Sequence, residues 1–307
     1  MQKITIVGPG RVGESTAQLL AVNEMAREVV LIGVTEGSAE GVALDIQESA
    51  SLFGFDTIVT GHSRPEAMAN SDLIIFTAGK PRKPGMSRSD VLDANLPILE
   101  GVVDHMLQLA PNAMLLVVTN PVDVLTYMAC KRSGWDRHRI FGLSGVLDAA
   151  RMATFVALQT GFSARDVSAI VLGGHGDAMV PLPRYTTIKG IPIENFLNQE
   201  EINQIVERTR QGGAEILALK KTSSAYDAPA AAIMEMIDAI VRNRKHILPC
   251  VAILDGEYGQ QNIALGVPAV FSQLGLEKII VLPLTSEENT AFENSANNVR
   301  ADLQRIT

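Results

Sequence analysis

Two cysteines in 307 residues, a deficit of basic charge and the want of any long apolar run set the first limits on this chain. Cys130 and Cys250 sit in apolar surroundings and form no CxxC pair, which argues against a disulfide framework and leads us to expect a reducing, cytoplasmic setting. The longest apolar runs, 114–119 and 73–77, fall far short of the roughly 20 residues that span a bilayer. The first residues, Met1 to Gly8, enter a strand pattern at once and leave no room for a signal peptide. Basic residues number 26 against 34 acidic ones, a net charge of −8 that suits neither a nucleic-acid groove nor an anionic membrane. Any anionic ligand must therefore meet positive groups placed locally. HExxH and P-loop patterns are missing, as are internal repeats and low-complexity linkers, and no metal-ligand constellation joins Cys130.

What is present is ample material for a core: 47% hydrophobic residues and a mean hydropathy of +0.16. The length, about twice that of a usual domain, predicts two domains. In the first half, short β-branched apolar runs at 4–7, 29–32, 57–60, 73–77, 114–119 and 140–143 alternate with helical segments such as 12–24 and 96–109. That alternation predicts an α/β fold with a doubly wound parallel sheet over 1–143. Past Leu143 the rhythm changes. A helix at 146–159, a strand at 168–172 and a glycine turn within 185–191 predict a mixed α+β domain over 144–307. Two later stripes, Ile202, Ile205, Thr209, Gly212, Ile216, Leu219 and Phe292, Ala296, Val299, Leu303, Ile306, have helical spacing and read as core or subunit interface. Gly212-Gly213, inside an otherwise good helix, predicts close packing against a neighbour of this or another subunit.

Gly8-Pro-Gly10-Arg11-Val12-Gly13 follows the first strand and opens the first helix, the context in which GxGxxG cradles a pyrophosphate on backbone N–H groups. The same fingerprint expects a carboxylate about 20 residues on, to hold the 2′-hydroxyl of NAD and repel the 2′-phosphate of NADP. This chain has Gly33 there. Glu36 reaching back would restore an NAD preference, whereas Arg11 with the Thr35 and Ser38 hydroxyls would accept a 2′-phosphate. NAD is favoured as cofactor, with weakened discrimination against NADP.

Four further segments supply groups for a small anion. Gly79-Lys-Pro-Arg82-Lys-Pro-Gly-Met-Ser-Arg88 carries two arginines in a segment punctuated by proline and glycine, either a lid or a solvated basic loop. Val118-Thr119-Asn120-Pro121 puts an amide at the carboxyl edge of the sheet, or simply makes a turn. Asp148 and Arg151 share a helix face, as a functional pair or an intrahelical ion pair. Gly173-Gly-His175-Gly-Asp177 places a histidine in a bend open to close approach.

Taken in order, GPGRVG, TAGKPRKPGMSR, VVTNP, GVLDAAR and GGHGDAMVPL resemble the lactate/malate dehydrogenase family over essentially the whole chain. The resemblance implies a Rossmann sheet followed by a catalytic α+β domain. It also implies reversible hydride transfer between (S)-malate and a nicotinamide cofactor, giving oxaloacetate. His175 would move the proton and Asp148 would fix its tautomer. Arg151 would clamp the 1-carboxylate, Arg88 would polarise the carbonyl, and Asn120 would align the substrate. Arg82, at a position that is neutral in the lactate-specific branch, would pair with the second carboxylate under a closed loop, which favours malate. Further cofactor contacts implied are Thr77, Ala78, Gly79, Asn95, Val118, Thr119 and Asn120, beside Gly8, Gly10, Arg11, Val12, Gly13 and Gly33, with no metal. A homo-oligomer, tetramer before dimer, is implied as well. The rival expectations are a lactate or broad 2-hydroxy-acid dehydrogenase and, from another class, a dinucleotide-binding sensor.

Overall fold

The computed structural model describes residues 1–80 and 88–306, Arg88 as backbone alone. The short apolar runs of the first half form β1 (Lys3–Val7), β2 (Glu28–Ile32), β3 (Ile58–His62), β4 (Leu73–Phe76), β5 (Met114–Val117) and β6 (Ile140–Gly142). They pair in parallel in the order β3-β2-β1-β4-β5-β6. The central strands β4 and β5 are buried on both faces, which is why they read as unbroken apolar runs. Helices α1 (Arg11–Val22), α2 (Ser38–Glu48), the single turn α3 (Ala50–Phe53), α4 (Arg88–Leu109) and α5 (Val122–Ser133) connect them. α4 starts ahead of the segment 96–109 expected for it and runs helically through Pro97.

The second half begins with α6 (Gly145–Thr160). The run 168–172, expected as one strand, is two: β7 (Val167–Ser168) and β8 (Val171–Leu172). They belong to different sheets, because β8 pairs with β9 (Val180–Pro181) while β7 pairs with β10 (Thr187–Ile188). β10 turns through Lys189-Gly190 into β11 (Ile191–Pro192), the antiparallel pair expected around the glycine turn. Two long helices follow, α7 (Gln199–Lys220) and α8 (Asp227–Val241), the latter packed on α1.

A meander absent from the sequence reading then extends the parallel sheet. β12 (His246–Asp255), β13 (Gln261–Ser272) and β14 (Gly275–Ile279) run antiparallel, and β12 joins β6 at Val251 opposite Gly142. The result is one nine-stranded sheet that crosses the expected division at 143/144. α9 (Ser286–Ile306) closes the chain with Phe292, Ala296, Val299 and Leu303 buried. One apolar core holds residues of both halves, from Ile4 to Leu303, and a smaller cluster lies beneath α6 and α7. Cys250 lies within that core on β12, and both cysteines are free thiols. Among the described residues no helix is long and apolar enough to cross a membrane.

Candidate active site

In a doubly wound sheet the strand order reverses between β1 and β4, and the crevice at their carboxyl ends is the place for a ligand. The glycine loop after β1 lies there. Gly8 has φ of +114°, and a Cβ on it would stand 2.5 Å from the Ala78 backbone nitrogen. A Cβ on Gly13 would stand 2.0 Å from the Gly8 carbonyl oxygen. Both positions admit only glycine, because the loop folds tightly on itself and on the chain leaving β4. Gly10 is different: nothing lies within 4 Å of where its Cβ would be, and it caps α1 without a side-chain hydrogen bond. The helix therefore opens on the crevice with no side chain capping its first amides, a cradle that fits a pyrophosphate.

Thr77, Ala78 and Gly79 form the opposite wall. Thr77 Oγ1 lies 3.1 Å from the Val7 oxygen and 2.9 Å from that of Gly8, tying β4 to the loop. Thr119 Oγ1 donates to the Ala78 carbonyl at 2.7 Å, and a Cβ on Gly79 would strike Thr119 Cγ2 at 2.6 Å. Asn95 is buried, accepts from the Lys80 amide at 2.7 Å and donates to the Asn120 carbonyl at 2.9 Å. Its carboxamide thus holds Lys80 against the chain that follows β5, at the edge of the crevice. Val118 follows β5, and Asn120 is exposed ahead of a cis peptide bond to Pro121.

Gly33 directly follows β2, as expected, and is buried with Pro9 beside it. Glu36, Thr35 and Ser38 are exposed. Arg11, proposed from sequence to join the two hydroxyls, has its guanidinium over the Tyr226 ring, 5.4 Å from the centroid. Val12 is the second residue of α1.

On the other side of the cleft, the Gly173–Gly176 bend carries His175 against α6. His175 Nδ1 is 2.9 Å from Asp148 Oδ2, and Arg151 donates to Asp148 Oδ1 at 3.0 Å. Asp148 is 1% exposed and Arg151 12%. A carboxylate set between a guanidinium and an imidazole accepts from both, and so fixes a histidine proton on Nδ1. Burial is the largest influence on the imidazole and pulls its pKa down; the Asp148 charge and hydrogen bond, aided by Asp123 and opposed by Arg151, leave it raised overall. Among the described residues, the buried Nε of Arg151 has no hydrogen-bond partner. A largely buried guanidinium beside a histidine fits an incoming carboxylate.

Three supports escaped the sequence reading. Asp123 of α5, fully buried, accepts the His175 backbone N–H at 3.0 Å. Ser295 of α9 accepts that of Gly174 at 2.7 Å. Gly173 exchanges two backbone hydrogen bonds with Gly266 of β13, at 2.8 and 3.0 Å. The only signals in the sequence were an aspartate inside the apolar run after Asn120 and a serine beside the stripe of the last helix. The neighbour of Gly212-Gly213 is Arg151 of the same chain: a Cβ on Gly212 would stand 3.2 Å from its Cδ. Arg82 and the side chain of Arg88 lie outside the described residues.

Comparison with known proteins places this geometry in a class of nicotinamide-linked dehydrogenases. Residues 2–142 match the model for the lactate/malate dehydrogenase NAD binding domain, and residues 145–307 that for the lactate/malate dehydrogenase alpha/beta C-terminal domain. The chain belongs to the lactate/malate dehydrogenase family. It is 60% identical over 306 residues to the malate dehydrogenase of Nitrosococcus oceani, covering 100% of this chain and 98% of that one. The malate dehydrogenase of Salinibacter ruber superposes with a TM-score of 0.94 at 42% identity, covering 99% of this chain and 98% of the other. The lactate dehydrogenase of Cryptosporidium parvum, solved with lactic acid and nicotinamide adenine dinucleotide, gives 0.94 at 37% identity, covering 98% and 96%.

Proposed function

We propose that this chain is a malate dehydrogenase that interconverts (S)-malate and oxaloacetate with NAD as its working coenzyme. The carrying observation is Asp148, whose two oxygens hold His175 and Arg151 at 2.9 and 3.0 Å and so register a proton-transfer group against a carboxylate clamp. With Nδ1–H held by Asp148, His175 Nε2 accepts the hydroxyl proton of malate in one direction and donates it to the oxaloacetate oxygen in the other. The Arg151 guanidinium binds the 1-carboxylate. Thr77–Gly79 and Val118–Asn120 would help hold the nicotinamide cofactor, which when bound would supply the hydride acceptor. Arg88 polarises the reacting carbonyl and Arg82 pairs with the second carboxylate, roles supported by family membership. In this reading 1–143 carries the dinucleotide together with Arg82, Arg88 and Asn120, and 144–307 carries Asp148, Arg151 and His175.

The chain works in the cytoplasm as a homo-oligomer, a tetramer before a dimer. Leu52 and Phe53 of α3, Leu158 of α6 and Leu219 at the open end of the α7 stripe are exposed apolar groups in keeping with subunit contacts. Sedimentation distinguishes the two assemblies.

The deciding experiment is a set of initial rates with oxaloacetate and pyruvate, each with NADH and NADPH, for wild type and Arg82→Gln. We expect oxaloacetate to be the better substrate. Arg82→Gln should lower kcat/KM for oxaloacetate by roughly a hundredfold, the scale of one lost charge-assisted pair, and pyruvate far less. Equal losses remove Arg82 as the selector, preferred turnover of pyruvate favours a lactate dehydrogenase, and no turnover of either favours a dinucleotide sensor.

A further inference from the structure

Gly33 stands where a dinucleotide fold ordinarily carries the carboxylate for the adenosine ribose. If the side chain had simply drifted away, an empty place would remain for another to refill. The structure leaves no such place. A Cβ built on Gly33 lies 2.6 Å from Cγ and 3.0 Å from Cδ of Pro9, with the Ala39 Cβ at 3.5 Å. The last distance is ordinary contact. The first two overlap a closed ring whose only freedom to yield is a change of pucker.

The backbone around the ring is pinned on every side. Gly8 donates to the Ile32 carbonyl at 2.9 Å and is pressed against Ala78, while Gly13 is pressed against the Gly8 carbonyl. Gly33 is itself held by a bond from its N–H to the His62 carbonyl at 3.0 Å. Behind it Ala39 is fully buried, and a Cβ on Gly61 would come within 2.1 Å of the Ala39 carbonyl oxygen. The start of α2 therefore already touches the backbone of β3 and cannot back away.

We propose that Pro9 and Gly33 act together as a coenzyme-selectivity pair, the Pro9 ring filling the space that a side chain at position 33 would need. This rests on the reading that the chain binds a nicotinamide dinucleotide. With no carboxylate at the end of β2, neither the charged hydrogen bond to a 2′-hydroxyl nor the repulsion of a 2′-phosphate arises from that point. NADH and NADPH then bind with similar affinity, and a carboxylate reinstated at 33 is effective only when position 9 is changed with it.

The test uses four proteins: wild type, Gly33→Asp, Pro9→Ala and the double variant. The readouts are calorimetric Kd values for NADH and NADPH and the melting temperature of each protein without coenzyme. The wild type should bind the two coenzymes within about tenfold of each other. Gly33→Asp should melt lower and bind both more weakly without separating them, and Pro9→Ala should keep the wild-type ratio. The double variant should recover the melting temperature lost in Gly33→Asp and weaken NADPH relative to NADH by roughly ten- to hundredfold. The pairing is overturned if Gly33→Asp alone melts like wild type and separates the coenzymes as widely as the double variant. A several-hundred-fold preference of the wild type for NADH overturns the selectivity role. If the wild type binds neither coenzyme, the dinucleotide reading fails and the selectivity role with it, while the four melting temperatures still report whether the two positions are sterically coupled.

Discussion

At Asp148 one oxygen faces a proton carrier and the other a cation, so the residue sets both the tautomer of His175 and the place of Arg151. Asp148→Asn keeps the shape and removes the charge. Burial and Arg151, which both disfavour the imidazolium, would then act without their main opponent, and the histidine would lose its proton at lower pH than in wild type. In the proposed reaction oxaloacetate reduction uses the protonated ring, so its rate should fall away earlier as pH rises, and the acidic limb of malate oxidation should move the same way. A loss in kcat of about 10²–10⁴-fold is expected, read from pH profiles in both directions. Limbs that stay in place would dissociate the pair from proton transfer. The raised pKa also means that protonated His175 contributes to folding below its unfolded value, about 6.5, and that this contribution is lost as pH rises through the folded value. At this scale the sequence was readable where chemistry lies in side chains: a histidine between glycines, an acid and a base three apart. It was opaque where support runs through backbone amides, because Asp123 and Ser295 reach the His175 bend only once α5 and α9 are packed.

Parallel strands and their helices were legible for a plain reason: each is a short buried run set off by amphipathic segments. β12 and β13 were not. They are long and nearly continuous in apolar residues, with Pro249 and Pro268 facing each other in register, and proline within an apolar run argues against a central strand. What anchors the turn between them is charge. Arg137, just ahead of β6, donates to both Glu257 oxygens at 3.1 and 2.8 Å and to the Ile253 carbonyl at 2.9 Å. Burial raises the Glu257 pKa, but the Arg137 hydrogen bonds, backbone donors and the guanidinium charge outweigh it and draw the carboxyl down to about 2. A depressed pKa gives stability that is whole above the unfolded value and fades as pH falls from about 4.5 toward 2. Glu257→Gln should therefore lower stability near neutrality by about 1–3 kcal/mol and flatten its decline over that acid range, measured by urea unfolding at several pH values. An acid decline as steep as in wild type would place the sensitivity elsewhere.

Across the whole molecule, a net charge of −8 gives the proposed dianionic substrate no long-range attraction, so its recognition must come from locally placed groups such as Arg151. The cleft walls belong to one frame. The sheet runs unbroken from β3 to β14, and the apolar core draws on both halves. We expect one cooperative urea transition, with circular dichroism and tryptophan emission from Trp135 coinciding; two separate midpoints would show halves that unfold independently. The buried thiol on β12 gives that junction a clock. Cys250 is fully enclosed between its neighbours and burial pushes its pKa up, so a thiol reagent reaches it only when the strand has parted from them. Its labelling rate in the native protein counts the openings of the seam between the two halves.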